Sequence, residues 1–564
     1  MKPALWNLIP TDEAAAEKLQ SELKIPILFC RLLVQRGILT LEDARTFFRH
    51  DLNNTHDPFL MKDMDKAVER LDAALKKNER ILLYGDYDVD GTTSVALMFA
   101  FLSNFHTNLD YYLPDREKEG YGVSIQGVEY ARGTGCTLII AMDCGIKANK
   151  PISLAKSYHI DFIVCDHHLP EGELPEAVAC LDPKRADCPY PYKELSGCGI
   201  SYKLAQALAL HYNTPTEEIS SLLDLVAVST ACDIVPMTGE NRILAHFGLQ
   251  RLNRDPRIGL WAIADSIHRP YPLDITDVVF GIGPMINAAG RLADAREAVR
   301  MLLSSDKNSA LENAGKLVQR NKDRRSLDLA TAEEAQRKFK GMANYEDRKS
   351  TVLYEPNWHK GIIGIVASRI VETFHKPTVI LTASNGKAVG SARSVAGFDL
   401  YKALQQCEDL FTTYGGHAYA AGMQMPLENV ALFIERFERV VSQSIAPEME
   451  HPQIEVCTKI RFDEITPEFW KMLKRFEPFG PQNLSPVFWA EGVYDTGNSR
   501  LLANNHVKLS LRQAGSNVEM NGIGFGLGKA FEAVQGKSFG LIFDLREDQW
   551  QGRTSLKIYA KDMR

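Results

Sequence analysis

The chain has 564 residues, 45% hydrophobic and 24% charged, which describes an ordinary soluble globular protein. A single core rarely grows past about 250–300 residues, so roughly two to four domains are expected. The formal net charge of −7 argues against a protein that only coats nucleic acid, and is compatible with an enzyme carrying a local basic groove.

Residues 1–60 predict short helices, with Thr40 as an N-cap and Asp43 three residues on, packed as a collar on the domain that follows. The opening MKPALWNLIP lacks the apolar core of a signal peptide, and no apolar run approaches the roughly 18 residues of a membrane span. The ten cysteines form no C-x-x-C pair and read as small core residues in a reducing compartment. The expected location is cytoplasmic.

From residue 80 the pattern alternates. RILLYG, NLDYYLPD, TLIIAMD, DFIVCDHH and AVACLDP are short apolar runs with helical stretches between them, and 197–260 reads as helical. This predicts a mainly parallel sheet covered on both faces, within a domain spanning 61–260. The region 261–345 is a helical connection, and its polar part from about 296 to 342 predicts one long helix joining two lobes. A smaller α/β domain follows over 346–446. In it STVLYE and PTVILTA are strands, GIIGIVASRIVETF and ENVALFIERFERVVSQS are helices, and GKAVGSARS and YGGHAYAAGMQMP are glycine-rich turns beside strands. Over 455–564, VFWAEGVYD, HVKLSLR, SFGLIFDLR and TSLKIYAKD predict a small OB-like β-barrel.

The chemistry lies where the strands of the first domain end. YGDYDVDG places Asp86, Asp88 and Asp90 after one strand, MDCG places Asp143 after another, and CDHH places Asp166, His167 and His168 after a third. ACDIVP adds Asp233 at the end of a helical run. Ligands of an open parallel sheet bind beyond the carboxyl ends of its strands. A single aspartate there often caps the next helix, but several converging carboxylates repel one another in a dehydrated cleft unless divalent cations neutralise them. Carboxylates with imidazole suit Mn²⁺, with Mg²⁺ as the alternative. There are enough donors for two ions about 3.5–4 Å apart, which clamp the oxygens of an in-line displacement at phosphorus. The reaction class is phosphoester hydrolysis.

These stretches resemble the DHH phosphoesterase superfamily, and within it the RecJ family of single-strand-specific DNA exonucleases. The resemblance is carried by YGDYDVDGTTS, MDCGI, CDHHLP and DIVPMTGENR, and continues through NAAGRL, WHKGIIGIVASRI, GSARSVAGFDL, GGHAYAAG and FEPFGPQNLSPVF. It implies a two-lobed α/β fold with a C-terminal OB-fold, and metal-dependent 5′-to-3′ hydrolysis of single-stranded DNA in repair and recombination. A single-strand-binding protein and a helicase are the implied partners. Asp88 and Asp90 correspond to the family's first metal-binding pair, and Asp143 to a carboxylate bridging two ions. His167 and Asp233 are the remaining ligands, and Asp86 is a ligand or holds the loop. Asp166 orients an imidazole and His168 faces the scissile phosphate, so Asp143, Asp166 and His168 form the catalytic set. Where some superfamily members have a histidine four residues before the match to Asp88, this chain has Tyr84.

Arg116, Arg291 and Arg393 lie in stretches that resemble RecJ, and guanidinium groups match phosphate bidentately, so they are expected to bind a 5′-terminal phosphate with help from Ser391. Tyr121 is expected to stack on a base. Gly415, Gly416 and His417 are expected to let the backbone approach the substrate, with His359 and Lys360 beside a helix start. Lys508, Arg512, Lys557 and Lys561 alternate with strand residues, as either a basic single-strand track or a solvated barrel face. Two other readings are a small-substrate DHH enzyme (an oligoribonuclease, cyclic-dinucleotide phosphodiesterase or pyrophosphatase) and a non-catalytic DNA-binding scaffold. The extra barrel argues against the first, and the intact acidic set against the second.

Overall fold

The computed structural model describes residues 2–116, 118–292, 294–550 and 553–564. The chain opens with a strand, β1 (Leu5–Leu8), where only short helices are expected, followed by α1 (Glu13–Leu23), α2 (Ile27–Val34) and α3 (Leu41–Phe48). Thr40 does cap α3, its hydroxyl accepting from the Asp43 amide at 3.1 Å.

The collar has a different partner from the one expected. Leu19, Phe29, Leu32 and Leu33 bury against Ile460, Phe469, Phe476 and Phe488 of the C-terminal barrel. A short helix with one apolar face docks on whichever surface complements it, and aromatic rings on the barrel provide that surface. Phe29 is 1% exposed, with ring centroids of Phe469 and Phe476 at 5.1 and 6.1 Å. Phe29→Ala is expected to lower stability by about 3–5 kcal/mol. A shift of the urea midpoint equivalent to under about 1 kcal/mol would mean the collar is dispensable.

After α4 (Met64–Lys76) comes the first sheet: β2 (Ile81–Gly85), α5 (Val89–Leu102), β3 (Leu109–Tyr112), α6 (Ile125–Thr134), β4 (Leu138–Met142), α7 (Asn149–Ser157), β5 (Asp161–Cys165) and β6 (Ala179–Leu181). The strands run parallel in the order β3-β2-β4-β5-β6. Both faces are covered, which is why the strands read as unbroken apolar runs. Ile81, Leu83 and Ile140 face one core, while Leu82, Tyr84 and Ile139 face the other. Strand order reverses beside β2, so the carboxyl ends of β2 and β4 flank the natural crevice.

Helices α8 (Gly197–Tyr212), α9 (Leu223–Cys232), α10 (Gly239–Arg254) and α11 (Ile258–Ser266) complete this lobe. A π-helical turn, Val278–Ile282, runs into α12 (Gly283–Leu292). The polar stretch from 296 is not one helix: α13 (Arg296–Leu302) ends, and α14 (Lys307–Lys340) restarts where Asp306 accepts from the Ser309 amide at 2.7 Å. Ala310, Ala314 and Leu317 of α14 sit in the first core, and Ala332, Ala335 and Phe339 in the second lobe, so the helix bridges the two as expected.

The second lobe contains β7 (Thr351–Tyr354), α15 (Ile363–Phe374), β8 (Thr378–Ser384), β9 (Lys387–Arg393), β10 (Thr413–Gly416), β11 (Ala420–Pro426) and α16 (Val430–Ser444). Its strand order is β10-β11-β9-β8-β7. The glycine-rich stretches expected as turns are therefore themselves strands. Their glycines reflect close packing: a Cβ on Gly390 would lie 2.6 Å from Leu381 Cδ2.

β12 (Gln453–Val456) pairs in parallel with β1. Then follow β13 (Thr458–Lys459), β14 (Phe488–Asp495), β15 (Arg500–Leu502), β16 (His506–Gln513), β17 (Glu519–Gly524), β18 (Phe539–Trp550) and β19 (Arg553–Met563). Strands β14, β18, β19, β17 and β16 close a ring, because β14 also pairs with β16. This is the expected OB-like barrel. No helix among the described residues is long and apolar enough to cross a membrane.

Candidate metal centre

The loop after β2 turns sharply because Gly91 allows it: a Cβ there would lie 2.4 Å from the Asp86 backbone. Asp88 caps α5, its Oδ1 accepting from the Gly91 amide at 3.1 Å. Asp90 is buried in the first turn. Its Oδ2 accepts from the Gly197 amide at 2.7 Å, and its Oδ1 from the Cys198 amide at 2.7 Å and the Ser229 hydroxyl at 2.6 Å. The positive end of α8 thus holds this carboxylate.

Asp143 follows β4 at φ 60°, a left-handed conformation that strains a non-glycine residue and is tolerated where function requires it. Its neighbour Gly197 has no room for a side chain, since a Cβ would sit 2.6 Å from Asp143 Cβ. After β5, Asp166 Oδ1 accepts from the amides of His167 (2.8 Å) and His168 (3.1 Å) and from His168 Nδ1 (2.7 Å), while Oδ2 accepts from the Ile146 amide at 2.8 Å. Burial raises the Asp166 carboxyl, but the His168 hydrogen bond and charge outweigh it and hold it below the usual range.

His167 is the hub. Its Nε2 lies 3.2 Å from Asp143 Oδ1, 3.5 Å from Asp233 Oδ2 and 3.7 Å from Asp90 Oδ2. Two donor groups result, Asp143–His167–His168 and Asp90–His167–Asp233, each with its atoms within 4.8 Å of one another. Both His167 ring nitrogens and the Oδ2 atoms of Asp86, Asp143 and Asp233 are buried without a hydrogen-bond partner. Burial, then neighbouring carboxylates, pushes Asp86, Asp143 and Asp233 well above the ordinary range. Burial lowers His167 and keeps it a neutral imidazole. Orphaned acceptors that repel one another beside a neutral imidazole fit divalent cations.

Of the residues expected here, Asp90, Asp143, His167, Asp233 and His168 converge. Asp86 and Asp88 flank the cluster and belong to neither donor group. Tyr84 lies on the opposite face of the sheet, its hydroxyl bonded to Gly122 O at 3.2 Å and Ser124 Oγ at 3.3 Å, so it does not enter the cluster. Tyr121 has an exposed ring, but its hydroxyl bonds Asp143 O at 3.0 Å and His168 Nε2 at 3.1 Å. Sequence reasoning missed that contact. It also missed Asp182 after β6, which is fully buried and pushed up to about 7 by burial. The signal was available, since LDPK is another strand ending in aspartate.

Across the crevice, Arg116 lies over the Tyr87 ring at 5.1 Å, and Arg291 donates to Gly361 O at 3.2 Å. Arg393 donates to Ser391 Oγ at 3.1 Å and Ala392 O at 2.8 Å. Burial lowers Arg291 to about 10, with Arg116, Arg324 and Arg393 adding repulsion. Burial and Arg116 likewise lower Arg393. Among the described residues, neither Arg291 nor Arg393 forms an ion pair with a carboxylate. Mutually repelling guanidiniums fit an anion. Gly364, at the start of α15, leaves space for them, because a Cβ there would meet Arg393 Nη2 and Ser391 Oγ at 3.0 Å.

Gly415, Gly416 and His417 are exposed on the β10–β11 hairpin, where the register Gly416–Ala421–Ala392 places them beside Arg393. Gly416 has φ 146°, and a Cβ would lie 2.3 Å from Ala420 O. His359 Nδ1 accepts from the Gly361 amide at 3.0 Å, next to Arg291. On the barrel, Lys557 pairs with Asp548, Lys561 with Asp544 and Arg512 with Glu519. Three of the four cations thus face a carboxylate, and Lys508 is exposed on β16.

Three family models match the chain: the DHH family, N-terminal domain, over residues 80–230; the DHHA1 domain over 347–443; and the RecJ OB domain over 458–562. The single-stranded-DNA-specific exonuclease RecJ of Bacillus subtilis (strain 168) is 34% identical, covering 99% of this chain and 70% of its own length. That of Escherichia coli (strain K12) is 32% identical over 95% of both chains. A crystal structure of RecJ in complex with Mn²⁺ from Thermus thermophilus superposes with a TM-score of 0.84 at 26% identity, covering all of this chain and 80% of that one. A crystal structure of exonuclease RecJ bound to manganese gives a TM-score of 0.60 at 31% identity, over 69% of this chain and 98% of that one.

Proposed function

The chain belongs to the RecJ family of single-stranded-DNA-specific exonucleases, and from that premise we propose how its own residues work. It is a hydrolase of phosphodiester bonds in single-stranded DNA, with Mn²⁺ or Mg²⁺ as cofactor. The observation that carries the reading is the pair of donor groups sharing His167, with the arginine cluster across the same crevice.

Asp90, Asp143, His167 and Asp233 hold the cations, with Asp86 and Asp88 adding negative charge around them. Bound divalent cations neutralise these carboxylates and activate water for attack at phosphorus. Asp166 fixes the His168 ring through Nδ1. Burial lowers His168, but the Asp166 hydrogen bond prevails and raises it, which favours the doubly protonated ring whose Nε2 can donate. Tyr121 accepts that hydrogen bond in the free site, and a phosphoryl oxygen takes its place when substrate enters. The exposed Tyr121 ring then serves as a platform for a base. Arg116, Arg291 and Arg393, with Ser391, hold the 5′-terminal phosphate, and the β10–β11 hairpin around His417 borders the strand. Polarity is therefore 5′ to 3′.

We assign the activity to DNA repair and recombination in the cytoplasm. A helicase would supply single strands, and a single-strand-binding protein would keep them open. The test is digestion of a long single strand labelled at either end, with Mn²⁺, with Mg²⁺ and with chelator. Immediate release of the 5′ label as a mononucleotide, abolished by chelator, is expected. Early release of the 3′ label would overturn the polarity, and faster turnover of a dinucleotide than of a long strand would favour a small-substrate enzyme.

A further inference from the structure

Tyr87 lies in the metal loop between Asp86 and Asp88, and none of the roles above uses it. It nevertheless touches each half of the crevice. The face of its ring carries the Arg116 guanidinium at 5.1 Å. Tyr121 meets the ring at 6.2 Å with an interplanar angle of 85°, and the Tyr121 hydroxyl bonds Asp143 O and His168 Nε2. The backbone of Tyr87 is clamped as well. Gly290, adjacent to Arg291, packs so tightly on it that a Cβ would lie 2.2 Å from Tyr87 O. One residue thus contacts the loop holding the carboxylates, the tyrosine on the catalytic histidine, and two carriers of the arginine cluster.

The electrostatics match this position. Burial pushes the Tyr87 hydroxyl up to about 12, Asp86 adds to the rise and Arg116 opposes it. The side chain therefore remains a neutral phenol between a negative and a positive cluster. A rigid aromatic ring with two torsions holds them apart at a defined spacing.

We propose that Tyr87 is a positioning residue that fixes the distance between the arginine cluster and the metal-binding carboxylates, and so sets the length of the fragment released from a phosphorylated end. The proposal rests on the reading that Arg116, Arg291 and Arg393 hold the terminal phosphate. Occupancy of that pocket then places one particular phosphodiester over the carboxylates. Without the ring the spacing slackens and the next bond competes for the same place.

The experiment compares Tyr87→Leu, Tyr87→Phe and Arg393→Ala on 5′-phosphorylated and 5′-hydroxyl strands, with product lengths resolved and Mn²⁺ affinity measured by titration calorimetry. For Tyr87→Leu, kcat/KM on phosphorylated ends falls roughly 3- to 30-fold, the range a cation–π contact supplies. The loss on hydroxyl ends is smaller, dinucleotides appear among the first products, and Mn²⁺ affinity is kept. Tyr87→Phe, which retains the ring, restores both the end preference and the mononucleotide product. Equal loss on both ends, unchanged product length, or weakened Mn²⁺ binding in Tyr87→Leu overturns the spacer role. If Arg393→Ala is itself indifferent to the end group, the phosphate pocket fails and the spacer falls with it. If Arg393→Ala is selective and Tyr87→Leu is not, only the spacer fails.

Discussion

Asp143→Ala is expected to abolish cleavage, lowering the Mn²⁺-dependent rate by at least about a thousandfold, or ~4 kcal/mol of transition-state stabilisation. Asp143 ties the carboxylate cluster to the Tyr121–His168 pair. Its Oδ1 lies 3.2 Å from His167 Nε2, its Oδ2 is orphaned, and its backbone carbonyl receives the Tyr121 hydroxyl. The substitution leaves that carbonyl in place, so Tyr121 and His168 keep their arrangement and the loss reports the carboxylate alone. Stability moves the other way. Asp143 and Asp233 have folded-state pKa values well above their unfolded ones, so the metal-free protein binds extra protons in the folded state and loses stability as pH rises from the ordinary carboxylate range up through those raised values. Removing one buried carboxylate relieves that repulsion. The chelated variant is therefore expected to melt at or above the temperature of the chelated parent at pH 8, and to gain less from added Mn²⁺. Near-normal cleavage, or a metal-free melting point well below the parent's, would count against the carboxylate cluster as the cation site.

Arg393→Ala is expected to cost most on strands with a 5′-phosphate. A charge-assisted hydrogen bond to phosphate is worth about 1.5–3 kcal/mol, so kcat/KM on such ends should fall roughly 10- to 150-fold. On 5′-hydroxyl ends the loss should be a small fraction of that. Arg393 is half-buried, bonded to Ser391 and Ala392 O, and lowered by its own burial and by Arg116. The free enzyme holds this cluster at a cost in repulsion, so the variant should be no less stable than the parent. Equal loss on both kinds of end would remove the end-binding role, and would leave 5′ polarity without its physical basis.

Much of this was legible because it is local. Apolar runs of strand length, each closed by aspartate, place Asp86 through Asp90, Asp143 and Asp166 through His168 on one edge of a parallel sheet without any knowledge of packing. The cap at Thr40 is likewise a matter of neighbours. What escaped depends on contacts between distant segments. The helices after β1 look like a collar for whatever comes next, and only their fit to Phe469, Phe476 and Phe488 reveals their partner. Strands β9, β10, β11 and β17 were hidden or blurred by glycine, which weakens the alternating pattern where the backbones must approach. A Cβ on Gly522 would sit 2.2 Å from Ile558 O. Tyr121 was singled out for its ring, while the contact that ties it to the centre is made by its hydroxyl. The carboxylates opposite Arg512, Lys557 and Lys561 on the barrel are supplied only by strand register.

The docking of the amino-terminal helices on the barrel also has a consequence in time. Ala16, Leu19, Phe29 and Leu33 leave the ribosome early, whereas Ile460, Phe476 and Phe488 lie more than about 400 residues further on. At about 5–20 residues per second, the wait is roughly 20–80 s. Throughout it, an apolar face remains uncovered on a nascent chain whose sheet and bridging helix have already emerged. A polypeptide that stops before residue 460 leaves that face uncovered. Joining the helices of residues 13–48 to the barrel therefore makes the burial of their apolar face depend on synthesis having passed residue 488.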